Sequence, residues 1–452
     1  MRDTALIEKL VEQTPAGGDD AFYTNFTRPD SLSGAAVGDP LYLRPLVNTF
    51  AVPGGGENWL VLYRSESAGQ NPTAVATSGI IVLPDRQAHP VPKGGYPLIT
   101  WCHGTVGCAN RVAPSRDTGD TGASPMNAYP KAMLGRFLDQ GWAVAMTDYE
   151  ALGTGTDDGT GTGLGPDDKL HPYLLGQSEA RAALDIVLAA RRLFRDEISQ
   201  MFAIVGHSQG GQAALFAAAN APGRVDGLVG VAAIAPANHP FDIIQASANL
   251  ANVFKNSGYA FSALFLAGAI AGSAADHADA DPESIKIIDP GQVLSDDAFE
   301  FWPQVWNLSR AELGADQKLF GSLRGNEQFR AGPDGSGTGY INNPNADQQE
   351  FNRQLKKMNP NLAITVPVRI SQALEDKRVQ YQPSSPLTGP FPGTEKLIEE
   401  LKTTNPGRVI EKLYDATEVD DTEGPLGAHF TTINVDTGPL IDWLLDKGLT
   451  TP

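Results

Sequence analysis

A short apolar run, Ala203-Ile204-Val205, leads into Gly206-His207-Ser208-Gln209-Gly210-Gly211, and an alanine-rich helical pattern follows through Ala219. A serine set between small residues at the junction of a strand and a helix sits on a sharp, strained turn. The flanking glycines lack Cβ atoms, so the backbones can pass closely and the hydroxyl stands clear of the sheet, where it can attack an electrophile. Glycine-rich turns of this kind also cradle phosphates, and a tight turn can exist with no chemistry at all. A hydroxyl is a weak nucleophile alone, so the rest of the chain must supply a base and a group that orients it.

Where such an elbow works in α/β-hydrolases, the chain order is serine, then Asp or Glu, then His. Three histidines follow Ser208: His239, His277 and His429. His239 lies where the segment after the next strand begins, and His277 lies in the polar stretch "ADHADAD". His429, in "GPLGAHFTTI", falls in a loop after the final strand and before a C-terminal helix "TGPLIDWLLDKG", where such a base is delivered. The acid belongs after the strand before last. "VRISQALEDKRVQ" ends a strand and presents Glu375 and Asp376; Asp376 is preferred, with Glu375 and then Asp420 or Asp421 as rivals.

Acyl transfer also needs donors aimed at the developing oxyanion, commonly two backbone N–H groups. One comes from the residue after the nucleophile, Gln209, at a helix N-terminus. The other comes from the loop after the third strand of the core, "WCHGTVGCANRVAPS", where Thr105 can add its hydroxyl. His103 in that loop either meets substrate or shapes the loop by packing. Tyr149, in "TDYEALG", either lines the substrate pocket or packs in the core with its hydroxyl tied to backbone. The run 153–168, "GTGTDDGTGTGLGPDD", lacks the Gly-Lys-Ser/Thr ending of a phosphate loop and reads as a surface loop near the site.

The elements that must hold these groups are legible as a rhythm. "WLVLYRS" (59–65) and "AVATSGIIVLP" (74–84) read as an opening antiparallel pair. Apolar strands near 96–104, 141–149, 202–206, 227–237, 365–374 and 408–416 then alternate with helical patterns, which implies a mainly parallel sheet covered on both faces. The rhythm breaks between the strands near 227 and 365. That interval carries helical patterns at 241–256, 259–274 and 296–314, and reads as an insertion over the carboxyl edge of the sheet, where open α/β sheets bind ligands. Residues 1–57 read as an irregular, Pro- and Gly-rich extension that begins with an amphipathic helix.

Composition narrows the partners. The 452 residues are 41% hydrophobic and 19% charged, as in ordinary globular chains. The net charge of −19 argues against nucleic acid, since phosphate contacts need a basic face. The only cysteines, Cys102 and Cys108, exclude a disulfide framework and a cysteine metal cluster, though one bridge between them is conceivable. No apolar run reaches the roughly 18 residues of a membrane span. The N-terminus shows no apolar h-region, so no signal peptide is visible. The chain then reads as secreted or periplasmic if a leader was removed, and cytoplasmic otherwise.

Together, "CHGTVG…APS", "TDYEALG", "HPYLLGQSEARAALD", "VGHSQGGQAALFAA" and "ALEDKRV…GAHF" resemble the secretory lipase family, α/β-hydrolases with a large cap. The resemblance spans roughly residues 58–445. It implies a carboxylic-ester hydrolase with no cofactor and no metal, a Ser208, Asp376 and His429 triad, and Thr105 and Gln209 at the oxyanion. Val112 stands where many bacterial members carry a cysteine, so their disulfide pattern does not carry over.

The expected architecture is therefore an α/β-hydrolase fold, mainly parallel, with a mostly helical cap. Residues 1–57 form the extension, 58–237 and 361–452 the two parts of the core, and 238–360 the cap. The expected activity is cleavage of carboxylic esters, small, lipid or polymeric, through an acyl-enzyme. The alternatives are an acyltransferase or peptidase using the same triad, or a catalytically silent fold that binds a partner.

Overall fold

A computed structural model describes residues 2–15, 18–24, 32, 34–46, 51–155, 169–249, 260–280, 287–315, 318–331, 339–385, 389–419 and 427–450. Alternating burial on strands and helical stripes builds a nine-stranded sheet between two helical layers. The strands are β1 (Pro40–Pro45), β2 (Gly55–Glu66), β3 (Ala74–Pro84), β4 (Tyr96–Cys102), β5 (Ala143–Thr147), β6 (Ile198–His207), β7 (Leu228–Ile234), β8 (Val368–Ala373) and β11 (Val409–Tyr414). A small ribbon of β9 (Ser384–Ser385) and β10 (Gly389–Pro390) stands apart. The order across the sheet is β1-β2-β3-β5-β4-β6-β7-β8-β11. β1, β2, β3 and β5 pair antiparallel in sequence across the edge, and every pairing from β5 through β4 to β11 is parallel.

β3 shows how the period of two builds both faces. Ile81 and Leu83 enter one core cluster with the helices Gly176–Phe194, Gln209–Asn220 and Thr394–Thr404. Ile80 and Val82 enter the opposite cluster with Lys131–Leu138 and the C-terminal helix Gly427–Asp446. All seven residues of β4 are buried, as a central parallel strand requires.

Three elements differ from the sequence reading. The described part of residues 1–57 carries the expected helix, Thr4–Gln13, but also a strand the reading lacked: β1 pairs with β2 as the edge strand. Pro40 and Pro45 sit at its two ends, where a missing donor is tolerated. The interval 235–367 holds helices Pro240–Asn249 and Ala260–Asp279, but 296–314 is broken into Asp296–Phe301, a 3₁₀ turn Trp302–Trp306 and Arg310–Leu313, with Pro303 at the break. It also contains the helix Ala346–Lys357, begun by a capping box of Asn345 and Gln348. Finally, the C-terminal helix begins at Gly427, well before Gly438-Pro439, so His429 lies in its first turn and not in a loop. Pro439 costs one backbone donor, yet buried Thr437, Leu440 and Ile441 keep the helix docked through it.

A buried ion pair ties this helix to the sheet. Arg369 on β8 donates through both terminal nitrogens to Asp436, at 2.6 and 2.7 Å. The Ser371 and Tyr414 hydroxyls donate to the same carboxylate at 2.7 and 2.6 Å. Removing Asp436 would leave a buried guanidinium with no counter-charge. Asp436→Ala is expected to destabilise the fold by about 3–5 kcal/mol, and Arg369→Met with Asp436→Leu to recover much of it. Urea unfolding of the two proteins measures the difference; equal midpoints would show that the pair does not hold the helix.

Candidate active site

The turn after β6 is built by close backbone approach. A Cβ on Gly206 would lie 2.0 Å from the Gly210 carbonyl oxygen, and one on Gly210 would lie 1.9 Å from that of Cys102. Only glycine fits either position. Ser208, between them, takes φ 59° and ψ −119°, a conformation that side-chain-bearing residues rarely adopt. Its N–H donates to the Ile234 carbonyl at 2.9 Å, and its own carbonyl accepts from Gly211 and Ala237 at 2.9 and 3.0 Å. Tyr149, Ala235 and His239, all beyond the carboxyl ends of neighbouring strands, also have positive φ, of 71°, 44° and 44°. Such residues cost on the order of 1–3 kcal/mol each and gather at functional sites.

The first turn of the C-terminal helix carries His429 to this edge. Its Nδ1 donates to Asp376 Oδ2 at 2.6 Å, and both side chains are buried. That bond fixes the proton on Nδ1 and leaves Nε2 free to accept one. The other Asp376 oxygen accepts from the Arg378 and Val379 amides at 2.8 and 2.9 Å, so the loop after β8 folds around its carboxylate. Glu375 is exposed beside it; Asp420 and Asp421 lie outside the described residues. Gly104, Thr105, His207, Ser208 and His429 line one cavity. His239 instead faces Asn238 and Glu400, and His277 lies on the helix Ala260–Asp279.

His207, which the sequence reading passed over, packs on His429. Its Nε2 donates to the His429 carbonyl at 2.9 Å, and the two rings lie 4.4 Å apart. Burial, with the neighbouring His429 charge, pushes its pKa well below the ordinary histidine value, so it stays neutral.

On the other side, Gln209 begins the helix and Thr105 lines the cavity with its hydroxyl 2.8 Å from that of Tyr173. The Gln209 side chain is held from below: its Nε2 donates to Glu179 Oε1 at 2.7 Å and to His171 Nε2 at 2.9 Å. His171 Nδ1 in turn donates to the Glu150 carbonyl at 3.0 Å, and burial holds this ring's pKa down to about 3. Burial pushes the Glu179 carboxyl up to about 8. Glu179 and His171 sit in "HPYLLGQSEARAALD", so the block was noticed but not this network.

Tyr149 and His103 lie behind the cavity and are not among its lining residues. The Tyr149 hydroxyl donates to the His103 carbonyl at 3.1 Å, and the two rings pack 4.4 Å apart. Burial holds the His103 pKa down to about 4. Cys102 and Cys108 are buried and unbridged. Most of the 153–168 run lies outside the described residues. Among the described residues, no cluster of His, Cys, Asp and Glu is placed to hold a metal, and no helix is long and apolar enough to cross a membrane.

The fold recurs in solved structures. The rice cell wall degrading esterase LipA of Xanthomonas oryzae superposes with a TM-score of 0.64 at 20% identity, over 91% of this chain and 100% of LipA. The chain has an α/β-hydrolase fold. Candida antarctica lipase A superposes with a TM-score of 0.59 at 17% identity, over 88% of this chain and 80% of that one. No protein-family profile matches the chain, and no curated protein does.

The buried Glu179 has a pH signature. Between its ordinary value of 4.5 and about 8, the unfolded chain ionises this carboxyl while the folded chain keeps it protonated. Its contribution to stability is full below that window and is lost as pH rises through it. Glu179→Gln keeps the shape without the titration. Its Tm is expected to gain on the parent by roughly 2 °C or more between pH 5 and pH 8. Calorimetry at the two pH values checks this, and parallel curves would refute it.

Proposed function

We propose that the chain is a serine hydrolase of carboxylic esters that works through an acyl-enzyme. The observation that carries this reading is the strained Ser208 in one cavity with His429, whose far nitrogen is bonded to buried Asp376. Ser208 Oγ attacks the ester carbonyl carbon as His429 Nε2 takes its proton. Asp376 holds the imidazole in the right tautomer and stabilises its cation. The oxyanion is received by the Gln209 and Thr105 amides and by the Thr105 hydroxyl. As the tetrahedral species collapses, the carbonyl–alkoxy bond breaks and His429 returns the proton to the leaving alcohol. Water, deprotonated by His429, then attacks the acyl carbon; the acyl–Oγ bond breaks, His429 returns the proton to Ser208 Oγ, and the carboxylic acid leaves. The fold shared with an esterase and a lipase favours esters over amides.

The insertion is proposed to act as the cap. Its apolar cluster reaches Tyr173 and Leu174 of the core, and Phe261 and Phe265 line a chamber of about 260 Å³ that includes Ser208. Substrate choice then follows the cap, while the residues at the sheet edge set the chemistry.

Replacing Ser208 or His429 by Ala is expected to lower kcat on p-nitrophenyl esters by on the order of 10⁴ or more with the fold intact. Asp376→Asn is expected to cost roughly 10³–10⁴, and Glu375→Gln little. Retention of a tenth of the activity in Ser208→Ala would sink the assignment. For the cap, Phe265→Trp is expected to lower kcat/KM for an octanoyl ester by roughly tenfold or more, and for an acetyl ester much less. Equal losses on both would place the acyl chain elsewhere.

A further inference from the structure

Two guanidinium groups face the Ser208 cavity. Arg310 comes from the insertion, at the start of the helix Arg310–Leu313, and Arg378 from the loop just beyond Asp376. Both stand over one ring: the Cζ of Arg378 is 5.0 Å and that of Arg310 5.9 Å from the centroid of Phe261. Arg378 and Phe261 also line the larger chamber beside Ser208, so the pair stands where the two spaces meet.

Among the described residues, neither guanidinium is paired with a carboxylate. Asp376, whose charge Arg378 feels, is committed to His429 and to the Arg378 and Val379 amides. This is unusual in a chain with 53 acidic and only 34 basic residues. Arg369, Arg224 and Arg353 all find carboxylates at 2.6 or 2.7 Å. Arg310 is only 8% exposed, so water replaces a partner poorly. Cation–π contact with Phe261 returns less than a buried ion costs. Holding two like charges together, partly desolvated, is a cost the fold bears at the mouth of the proposed nucleophile.

We propose that Arg310 and Arg378 form an anion subsite, and that the esters cleaved at Ser208 carry an ionised carboxyl group on their acyl or their alcohol side. Each guanidinium presents a planar fork that matches a carboxylate with two parallel hydrogen bonds. Such an anion supplies a counter-charge that the described residues do not, and its position relative to Ser208 orients the ester carbonyl. Burial, and repulsion from Arg310, hold the Arg378 pKa down to about 10, which leaves Arg378 cationic throughout the neutral range. The chain's overall charge of −19 repels anions at long range, so a preference for a charged ester has to arise locally. This inference rests on the ester-hydrolase reading and narrows it to a substrate class.

Two ester pairs test it. Mono-p-nitrophenyl glutarate against p-nitrophenyl butyrate places the carboxylate on the acyl side. 4-Butyryloxybenzoate against its methyl ester places it on the alcohol side. In the intact protein, the ratio of kcat/KM for the charged over the neutral ester is expected to exceed one by on the order of tenfold in one pair. The pair that shows it identifies the side. Arg310→Gln and Arg378→Gln are each expected to bring that ratio to about one or below, and Arg378→Lys to restore part of it. A charged ester no better than its neutral partner in both pairs would overturn the proposal without any variant. So would a preference that survives both Gln substitutions. If even the neutral esters are not cleaved, the ester-hydrolase reading fails first and takes the subsite with it.

Discussion

The helix Gln209–Asn220 runs so close to the end of β4 that the Cys102 carbonyl leaves no space for a side chain at Gly210. Much of the molecule follows from that contact. It brings a helix N-terminus, with its free amides and partial positive charge, up to the carboxyl edge of the sheet. It bends Ser208 into a conformation that only a sharp strand-to-helix turn requires. It also sets the loop beginning at His103 alongside, with the Cα of Gly104 facing His207 and Ser208. β8 and the C-terminal helix then need only reach one shared edge to bring Asp376 and His429 together.

The charges around this edge are handled in two opposite ways. Beneath the site, burial is met with neutrality or pairing. His103, His171 and His207 are held uncharged, Glu179 is held protonated to about pH 8, and Arg369 and Asp436 neutralise each other. The neutral histidines cost little at neutral pH, and together these groups keep Gln209, the third-strand loop and the C-terminal helix in place. Above the site, among the described residues, Arg310 and Arg378 have no carboxylate partner. An electrically quiet floor under a cavity with a positive wall is what the proposed reaction on a charged ester would need.

The elbow, the alternation of strands and helices and the opening antiparallel pair were all legible, because each depends on local pattern. Gly206, Ser208 and Gly210 announce a turn through the spacing of small residues, and buried parallel strands announce themselves as unbroken apolar runs. Asp376 and His429 could be reached from chain order, since topology delivers consecutive strands to one edge. What escaped depends on contacts between distant segments. Nothing in the sequence links Arg310 to Arg378; the fold places both over Phe261. Glu179 and His171 meet Gln209 only after the helix Gly176–Phe194 packs on the next one. The start of the C-terminal helix was misplaced because Gly438-Pro439 is a strong local stop, overridden by the docking of Asp436 and Leu440. The helix Ala346–Lys357 was missed because its apolar face is thin, although its capping box was there to be seen.

The claim on which the rest stands is that Ser208 is a nucleophile activated by His429. Titration of the intact protein with an alkyl p-nitrophenyl phosphonate, followed by peptide mass spectrometry, addresses it directly. One phosphonyl group per chain, located on Ser208 and released with one equivalent of p-nitrophenol, is the predicted result, with none on Ser208→Ala. A folded protein that leaves the reagent unreacted, or that is labelled elsewhere while Ser208 stays unmodified, would contradict it.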